Sequence, residues 1–253
     1  MLPSLPPELL ELIVDHSAEE PTTLKTFCLV SKLWISRTRG HLFAHVEFDS
    51  RGPSIESWME TFPDPLNSPA HHTRSLNISD ITTATAATTY GNAWIRSFHC
   101  IVSLMFGTRW WNGDDMSLVR LHGLSPTLKS LCMNSFSLLI SEVSDLTCSF
   151  PLLENLSLDY SPPLRHDPMN PPPTSPKLTG SLVLKGETLS TARWLSGLPG
   201  GLHFVKITMD CRSLCLESTM NLVSRCSDTL EHLSFDCFIS GTFRSAPCGQ
   251  PIA

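Results

Sequence analysis

Basic charge is scarce in this sequence, which contains 18 Lys and Arg residues against 24 Asp and Glu, a formal net charge of -6. No run of basic residues occurs. Because a nucleic-acid footprint needs clustered Lys and Arg to neutralise phosphates, we expect no nucleic-acid partner. No apolar run approaches the roughly 18 residues of a membrane span, and the N-terminus lacks the charged segment of a secretory signal. We therefore expect no membrane partner either.

Paired cysteines are also missing. The nine cysteines include no Cys-x-x-Cys pair, and most of them stand among apolar residues, as small buried hydrophobic residues do. Unpaired thiols are typical of a reducing compartment. The sequence therefore predicts a soluble protein of the cytoplasm or the nucleus.

Motifs for catalysis and for cofactor binding are absent as well. There is no Gly-x-Ser-x-Gly elbow, no Gly-x-x-x-x-Gly-Lys phosphate loop, no Gly-x-Gly-x-x-Gly turn and no His-Glu-x-x-His zinc motif. Three close pairs lack a third metal ligand nearby. These pairs are His41 with His45, His71 with His72, and Cys211 with Cys215. We therefore expect no enzyme activity, no cofactor and no metal.

The segment 5–34 constrains the function most. Pro7 suits a first helical turn, because proline has a helical φ and needs no amide partner there, and Glu8 suits the positive end of that helix. Apolar residues recur at steps of three and four from Leu9 to Ile13, so apolar surface covers more than half of the helix circumference. One neighbouring element cannot cover that much surface.

Two further short helices are predicted, one beginning near Pro21 and one that contains Trp34. Three amphipathic helices within about 45 residues lie near the lower size limit at which one core supports itself. No disulfide pattern or metal ligand set reinforces them. A partner protein is therefore expected to cover part of their apolar surface, and the alternative is an ordinary helical hairpin packed on its own chain.

Two runs in this segment resemble the F-box, the three-helix module by which substrate receptors dock on the Skp-type adaptor of cullin-RING ubiquitin ligases. The runs are Leu5-Pro6-x-Glu8-Leu9-Leu10-x-x-Ile13 and Leu29-Val30-Ser31-Lys32-x-Trp34. The following Arg39-Gly40-His41-Leu42-Phe43 is similar to the F-box-like modules abundant in fungal proteins. The resemblance implies an adaptor-binding surface made of Leu5, Pro6, Leu9, Ile13, Leu29, Val30 and Trp34.

A repeat of the form apolar-x-x-apolar-x-apolar runs from residue 73 to about 238. Its fourth position falls on Leu76, Leu104, Leu131, Leu156, Leu182, Val205 and Leu233. The steps of 28, 27, 25, 26, 23 and 28 residues predict one short strand per unit, with alternate side chains in a shared core. The alternative is a set of unrelated buried strands in another α/β fold.

Phrases such as Pro151-Leu152-Leu153-Glu154-Asn155-Leu156 resemble the irregular leucine-rich repeats that follow the F-box in many receptors. The implied fold is α/β, an N-terminal three-helix F-box-like module followed by an irregular leucine-rich-repeat-like solenoid of about seven strands. The expected organisation is a module over 1–48, a connector over 49–70 that packs lightly through Trp58, an array over 71–238, and an uncapped tail over 239–253. A Pro-rich insertion over 161–176 interrupts the array, and return helices are expected over 136–146, 188–198 and 213–226.

The outward-facing residue of each predicted strand lies between its two inward residues. These residues are Asn77, Met105, Cys132, Ser157, Val183, Lys206 and Ser234. They include no aromatic or arginine anchor of the kind that dominates binding energy. We therefore place target binding on the loop residues Trp110 and Trp111 together with Asn77, Met105 and Lys206.

The sequence thus predicts a non-catalytic substrate receptor of a cullin-RING ubiquitin ligase. Its partners would be a Skp-type adaptor, through it a cullin scaffold, and a target protein whose identity stays open. Its contribution would be proximity, which raises the effective concentration of the target at the ligase. Two other classes remain open, an F-box scaffold acting outside any ligase and a hydrolase with an unpatterned catalytic set.

Overall fold

Apolar and polar residues alternate along the strands of one large sheet, and this alternation directs one face of the sheet into the core. The structure is a computed structural model that describes residues 6–49, 52, 54–79, 93–107, 124, 126–136, 139–160, 177–186, 188–198, 201–210 and 216–236. The strands are β1 (His45–Phe48), β2 (Ser75–Ile78), β3 (Ser103–Gly107), β4 (Ser130–Phe136), β5 (Asn155–Tyr160), β6 (Ser181–Gly186), β7 (Lys206–Asp210) and β8 (His232–Asp236).

Helices precede the sheet and occupy the returns between its strands. They are α1 (Pro7–His16), α2 (Pro21–Val30), α3 (Lys32–Leu42), α4 (Ile55–Thr61), a 3-10 helix η1 (Pro69–His72), α5 (Ala93–Arg96), α6 (Ile140–Cys148), α7 (Thr188–Gly197) and α8 (Leu216–Arg225). The helices predicted over 188–198 and 213–226 correspond to α7 and α8. The helix predicted over 136–146 begins later, at Ile140, because Ser130–Phe136 is strand.

All eight strands are parallel, and each pairs with the strands before and after it in the chain, in the order β1 to β8. A parallel neighbour requires a crossover connection, and here every crossover returns the chain to the adjacent position. The register joins equivalent residues across the sheet. The first buried row is Val46, Leu76, Leu104, Leu131, Leu156, Leu182, Ile207 and Leu233, and all of them are buried except Leu233 on the last strand, which is exposed.

A second buried row lies two residues further along each strand, as the period of two requires. It consists of Phe48, Ile78, Phe106, Met133, Leu158, Leu184, Met209 and Phe235, and all of them are buried except Phe235 on the last strand, which is exposed. The return helices cover this face of the sheet, since Val143 and Leu146 of α6 and Leu195 of α7 belong to the same hydrophobic cluster as the strands. The predicted α/β class is confirmed, and the structure shows in addition that its short strands form one parallel sheet.

The spacing of the repeat is more regular than the sequence predicts. The predicted fourth position in the sixth unit was Val205, which is exposed, whereas Ile207 is fully buried and pairs with Leu182 and Leu233. Replacing Val205 by Ile207 changes the last two steps from 23 and 28 residues to 25 and 26. The sheet also has one strand more than expected, because β1 precedes the predicted array and lies within the range assigned to the helical module.

The segment between β1 and β2 is better packed than the predicted light connector. Trp58 of α4 is buried, with its ring centroid 5.9 Å from Phe43, 5.7 Å from Phe48, 4.9 Å from Phe62 and 5.8 Å from Phe98. Such close aromatic pairs stabilise beyond the area they bury. The aromatic cluster therefore fixes the end of α3 and the connector to the first strands of the sheet.

Candidate docking surfaces

The first two N-terminal helices begin where the sequence predicts. Pro7 and Pro21 stand at the first positions of α1 and α2, where a missing backbone N–H costs nothing. Ser31 caps α3, and its Oγ accepts a hydrogen bond from the backbone N–H of Leu33 at 3.3 Å. The polar Ser31 thus separates α2 from α3 and turns the chain.

These helices share a very small core. Within α1–α3, whose residues are all described, the fully buried apolar side chains are Val14 and Leu24, and neither belongs to the hydrophobic cluster beneath the sheet. The half-buried Trp34 packs edge-to-face against Phe27, with ring centroids 4.7 Å apart and an interplanar angle of 81°. Thr38 is buried and donates a hydrogen bond to the carbonyl oxygen of Trp34 at 2.6 Å.

A charged network supplements this core by joining α1 to α3. Arg37 donates from Nε and Nη2 to the two carboxylate oxygens of Asp15, at 2.7 Å and 2.5 Å. The Nε2 atom of His41 lies 2.7 Å from Oδ1 of the same carboxylate. Arg37 first, and then His41, hold the pKa of the Asp15 carboxyl well below its usual range. A bidentate guanidinium pair of this kind fixes the relative position of two helices more closely than a single contact does.

Six large apolar side chains of the helices remain exposed to solvent. They are Leu9, Leu12, Ile13, Leu29, Val30 and Leu33, with exposed fractions from 41% for Ile13 to 88% for Leu29. A single exposed leucine is ordinary, but six within three short helices are not. This concentration of exposed apolar surface makes the helices a candidate docking region.

The exposed residues form two patches rather than one. Leu9, Leu12 and Ile13 stand at steps of three and four on α1 and form the α1 patch. That face points away from Val14, which packs inward. Leu29, Val30 and Leu33 flank the junction of the next two helices and form the α2–α3 patch.

A groove between α1 and α3 adjoins the α2–α3 patch. It has a volume of ≈ 420 Å³ and is lined by residues that include Pro7, Leu10, Val14, Leu33 and Trp34. Leu33 belongs to both the groove and the patch. A partner that covers the α2–α3 patch can therefore place an apolar side chain in the groove.

The structure describes six of the seven residues predicted to bind an adaptor, and Leu5 lies outside the described residues. Leu9 and Ile13 fall on the α1 patch, and Leu29 and Val30 fall on the α2–α3 patch. Pro6 is exposed at the start of α1. Trp34 is different, because it is half-buried against Phe27 and contributes to the core as well as to the groove.

Two strongly exposed residues are missing from the predicted surface, Leu12 and Leu33. Both are among the most exposed apolar side chains of the three helices. Leu12 follows Leu9 by three positions, so the helical period alone places Leu12 on the same face as Leu9 and could have identified it. Leu33 follows Val30 by three, but the helix boundary at Ser31 hides that spacing.

The solvent-facing side of the sheet carries the other predicted binding residues. Asn77 is half-buried and its Nδ2 donates to Oε1 of Glu47 at 2.6 Å, while Met105 is exposed beside it in the register. Lys206 is exposed but lies two residues out of this row, in which Val183 pairs with Thr208. The shift follows from the same misplacement that put Val205 in the buried row. Trp110 and Trp111 lie outside the described residues.

The three close pairs of histidines and cysteines noted in the sequence are arranged differently. His41 lies in the last turn of α3 in contact with Asp15, whereas His45 lies on β1, so the two do not share a helical face. The rings of His71 and His72 lie side by side, with centroids 4.0 Å apart. Among the described residues no group of three His, Cys, Asp or Glu side chains is arranged to hold a metal ion. Cys226 is buried, but Cys28, Cys100, Cys132 and Cys148 are only half-buried, so the prediction of buried thiols holds for one described cysteine. Cys211 and Cys215 lie outside the described residues.

Comparison with protein-family models, with curated protein sequences and with solved structures found no match. In the described part of the chain, every helix is either too short or too polar to pass through a bilayer. The functional assignment therefore depends on the geometry of the two patches and on the residues that resemble the F-box.

Proposed function

We propose that this chain is a non-catalytic receptor subunit, in which an F-box-like module over α1–α3 docks on a Skp-type adaptor of a cullin-RING ubiquitin ligase. The sheet and its return helices, an irregular leucine-rich-repeat-like solenoid in this proposal, hold a target protein. The chain supplies proximity and leaves ubiquitin transfer to other subunits.

The observation that carries the proposal is the exposed apolar surface of α1–α3. Six large apolar side chains face solvent while only Val14 and Leu24 form the buried apolar core of these helices. Covering a leucine side chain completely is worth about 1.5–3 kcal/mol, although association costs consume much of this gain. A partner that covers both patches would therefore bury the six apolar side chains that the module leaves exposed.

The solenoid assignment is supported by the order of the strands. Each unit adds one parallel strand next to the previous one, and equivalent apolar residues meet in the register. Units that contact mainly their neighbours are typical of repeat proteins. The outer face of such a sheet offers an extended surface, on which Met105 is an exposed apolar side chain.

The decisive experiment is co-expression with a Skp-type adaptor, followed by size-exclusion chromatography and titration calorimetry. The double variant Leu29→Ala with Leu33→Ala is the sharpest probe, because both side chains are exposed and their removal leaves the core intact. Interface anchors cost about 2 kcal/mol or more when truncated, so we expect the adaptor affinity to fall at least about 30-fold. Thermal unfolding of the variant should match that of the unmodified chain.

Leu152→Ala is the matched control, because Leu152 is an exposed leucine in the turn before β5. Its adaptor affinity should be unchanged. Trp34→Ala is a poorer probe, since Trp34 also packs against Phe27 and its loss loosens the module. Failure of the unmodified chain to elute with the adaptor would refute the proposal. Elution with the adaptor but not with an adaptor–cullin complex would instead favour a scaffold outside the ligase.

A further inference from the structure

A second cleft opens where α3 meets η1 and the start of β2. It has a volume of ≈ 470 Å³, and its lining includes Arg37, His41, His71, His72 and Arg74. This density of cationic and titratable groups contrasts with the whole chain, whose formal net charge is -6. The cleft is thus rich in basic groups although the chain as a whole is acidic.

The charges on the α1 side of the cleft are already balanced. The guanidinium of Arg37 is held by both carboxylate oxygens of Asp15, and His41 contacts the same carboxylate. Glu11 also lines the cleft, with its Oε2 3.9 Å from Nη1 of Arg37. These groups form a nearly neutral wall.

The opposite side of the cleft has no such balance. The rings of His71 and His72 lie with centroids 4.0 Å apart, and Arg74 follows them in the chain. Burial lowers the pKa of His72, and the positive charges of His71, Arg39 and Arg74 lower it further. An anion placed against His72 and Arg74 would thus meet basic groups on this side of the cleft, opposite the carboxylates of Glu11 and Asp15.

The donors at this wall have a defined arrangement. Nδ1 of His71 lies 2.5 Å from the carbonyl oxygen of Ser68, and since a carbonyl only accepts, this nitrogen carries the hydrogen. Nε2 of His71 then becomes a donor only when the ring is protonated. Arg74 is exposed, and its Nη1 lies 3.4 Å from the carbonyl oxygen of Cys100. Its planar fork keeps further N–H groups, and such forks match phosphate oxygens well.

We propose that this cleft binds a phosphate monoester dianion, held by Arg74 and by His72 and His71. The ligand is either a free phosphate compound or a phosphorylated side chain, and the shared chemistry is a tetrahedral dianion. The inference does not rest on adaptor docking, because the residues that would hold the anion lie outside both apolar patches, although Leu33 of the α2–α3 patch also lines the cleft.

Binding should be tighter at pH 6 than at pH 8, because a bound anion favours the protonated form of the His72 ring. The other groups around the cleft are Glu11 and Asp15 on α1, Arg37, Arg39 and His41 on α3, and Arg74 before β2. Sulfate is the suitable probe of this pH effect, since it stays a dianion over the whole range. Phosphate itself changes charge near neutral pH.

The test is titration of the full chain with inorganic phosphate, O-phosphoserine, sulfate and acetate, followed by histidine ring signals in NMR spectra. We expect the signals of His71 and His72 to shift with each tetrahedral anion, while that of His232 on β8 stays constant. Arg74→Ala should weaken binding at least about ten-fold, the size of one charge-assisted contact. His72→Gln should remove most of the difference between pH 6 and pH 8.

Arg193→Ala is the matched control, because Arg193 is an exposed arginine on α7, and it should bind as the unmodified chain does. Tighter binding of O-phosphoserine than of inorganic phosphate would identify a phosphorylated side chain as the source, and equal binding of the two would identify a free phosphate compound. Absence of any shift, or binding of acetate as tight as that of phosphate, would overturn the proposal. The single Leu29→Ala variant should keep its phosphate affinity, because Leu29 is exposed and does not line the cleft, and this separates the test from that of docking.

Discussion

The same leucine-to-alanine substitution should lower the free energy of unfolding by very different amounts in the middle and at the end of the first buried row. Leu131 on β4 is fully buried between Leu104 and Leu156, whereas Leu233 on β8 is 42% exposed. Removing a leucine side chain to its Cβ deletes three carbon atoms, each worth about 0.8 kcal/mol when buried. Leu131→Ala should therefore lose about 2.4 kcal/mol of transfer free energy, and the cavity left behind raises the cost to about 3–4 kcal/mol.

Leu233→Ala loses only the buried share of that transfer free energy, about 1.4 kcal/mol, and leaves no closed cavity. Urea unfolding followed by circular dichroism measures both values. With a denaturant slope near 3 kcal/mol/M, the midpoint should fall by about 1 M for Leu131→Ala and by about 0.5 M for Leu233→Ala. Lys206→Ala, an exposed change on β7, should stay within about 0.5 kcal/mol of the unmodified chain. Equal shifts for the two leucines would refute the burial gradient along the row.

Three further predictions concern packing and charge. Gly180→Ala should lower the free energy of unfolding by about 1–3 kcal/mol, because an added Cβ would clash with Oδ1 of Asn155 and lie 3.1 Å from the carbonyl oxygen of Glu154. Gly197→Ala is the control, because the space around its Cβ is open, and it should change the free energy of unfolding by less than about 1 kcal/mol. The urea unfolding midpoints of the two variants compare these values. Trp58→Ala should cost about 3–5 kcal/mol in the same assay, since four aromatic rings lose their common neighbour, and a cost below about 1 kcal/mol would contradict the cluster. The pKa of Asp15 is depressed in the folded chain, so the stability that its carboxylate contributes is fully present above the unfolded carboxyl pKa of about 3.9 and is progressively lost as the pH falls below that value. Asp15→Asn should therefore lower the melting temperature at pH 7. At pH 3 the melting temperatures of the variant and of the unmodified chain should lie closer together.

The repeat and the helix starts follow from the sequence because they depend on short-range rules. Apolar residues at steps of 23 to 28 residues predict the strands, and the alternation within each unit predicts the inward side. Proline at the first positions of α1 and α2 marks two helix starts. These features need only the local backbone geometry of a strand or a helix.

The register in β7 shows where the local rules end. The repeat template fits Leu202, Val205 and Ile207, and it fits Phe204, Ile207 and Met209 equally well, because both sets have the same spacing. The pairing of Ile207 with Leu182 decides between them. The sequence pattern is degenerate by two residues, and only a neighbouring strand removes the degeneracy.

Contacts between distant segments decided the remaining features. β1 has four residues and follows a helix directly, so its alternation is too short to identify without β2 beside it. The aromatic cluster around Trp58 and the cleft between α3 and η1 join residues from separate elements, and no period relates them. The sequence by itself determined that α1–α3 have more apolar surface than so small a core can bury. The tertiary structure alone divided that surface into two patches, because the angle at which helices pack is set by side chains far apart in the chain.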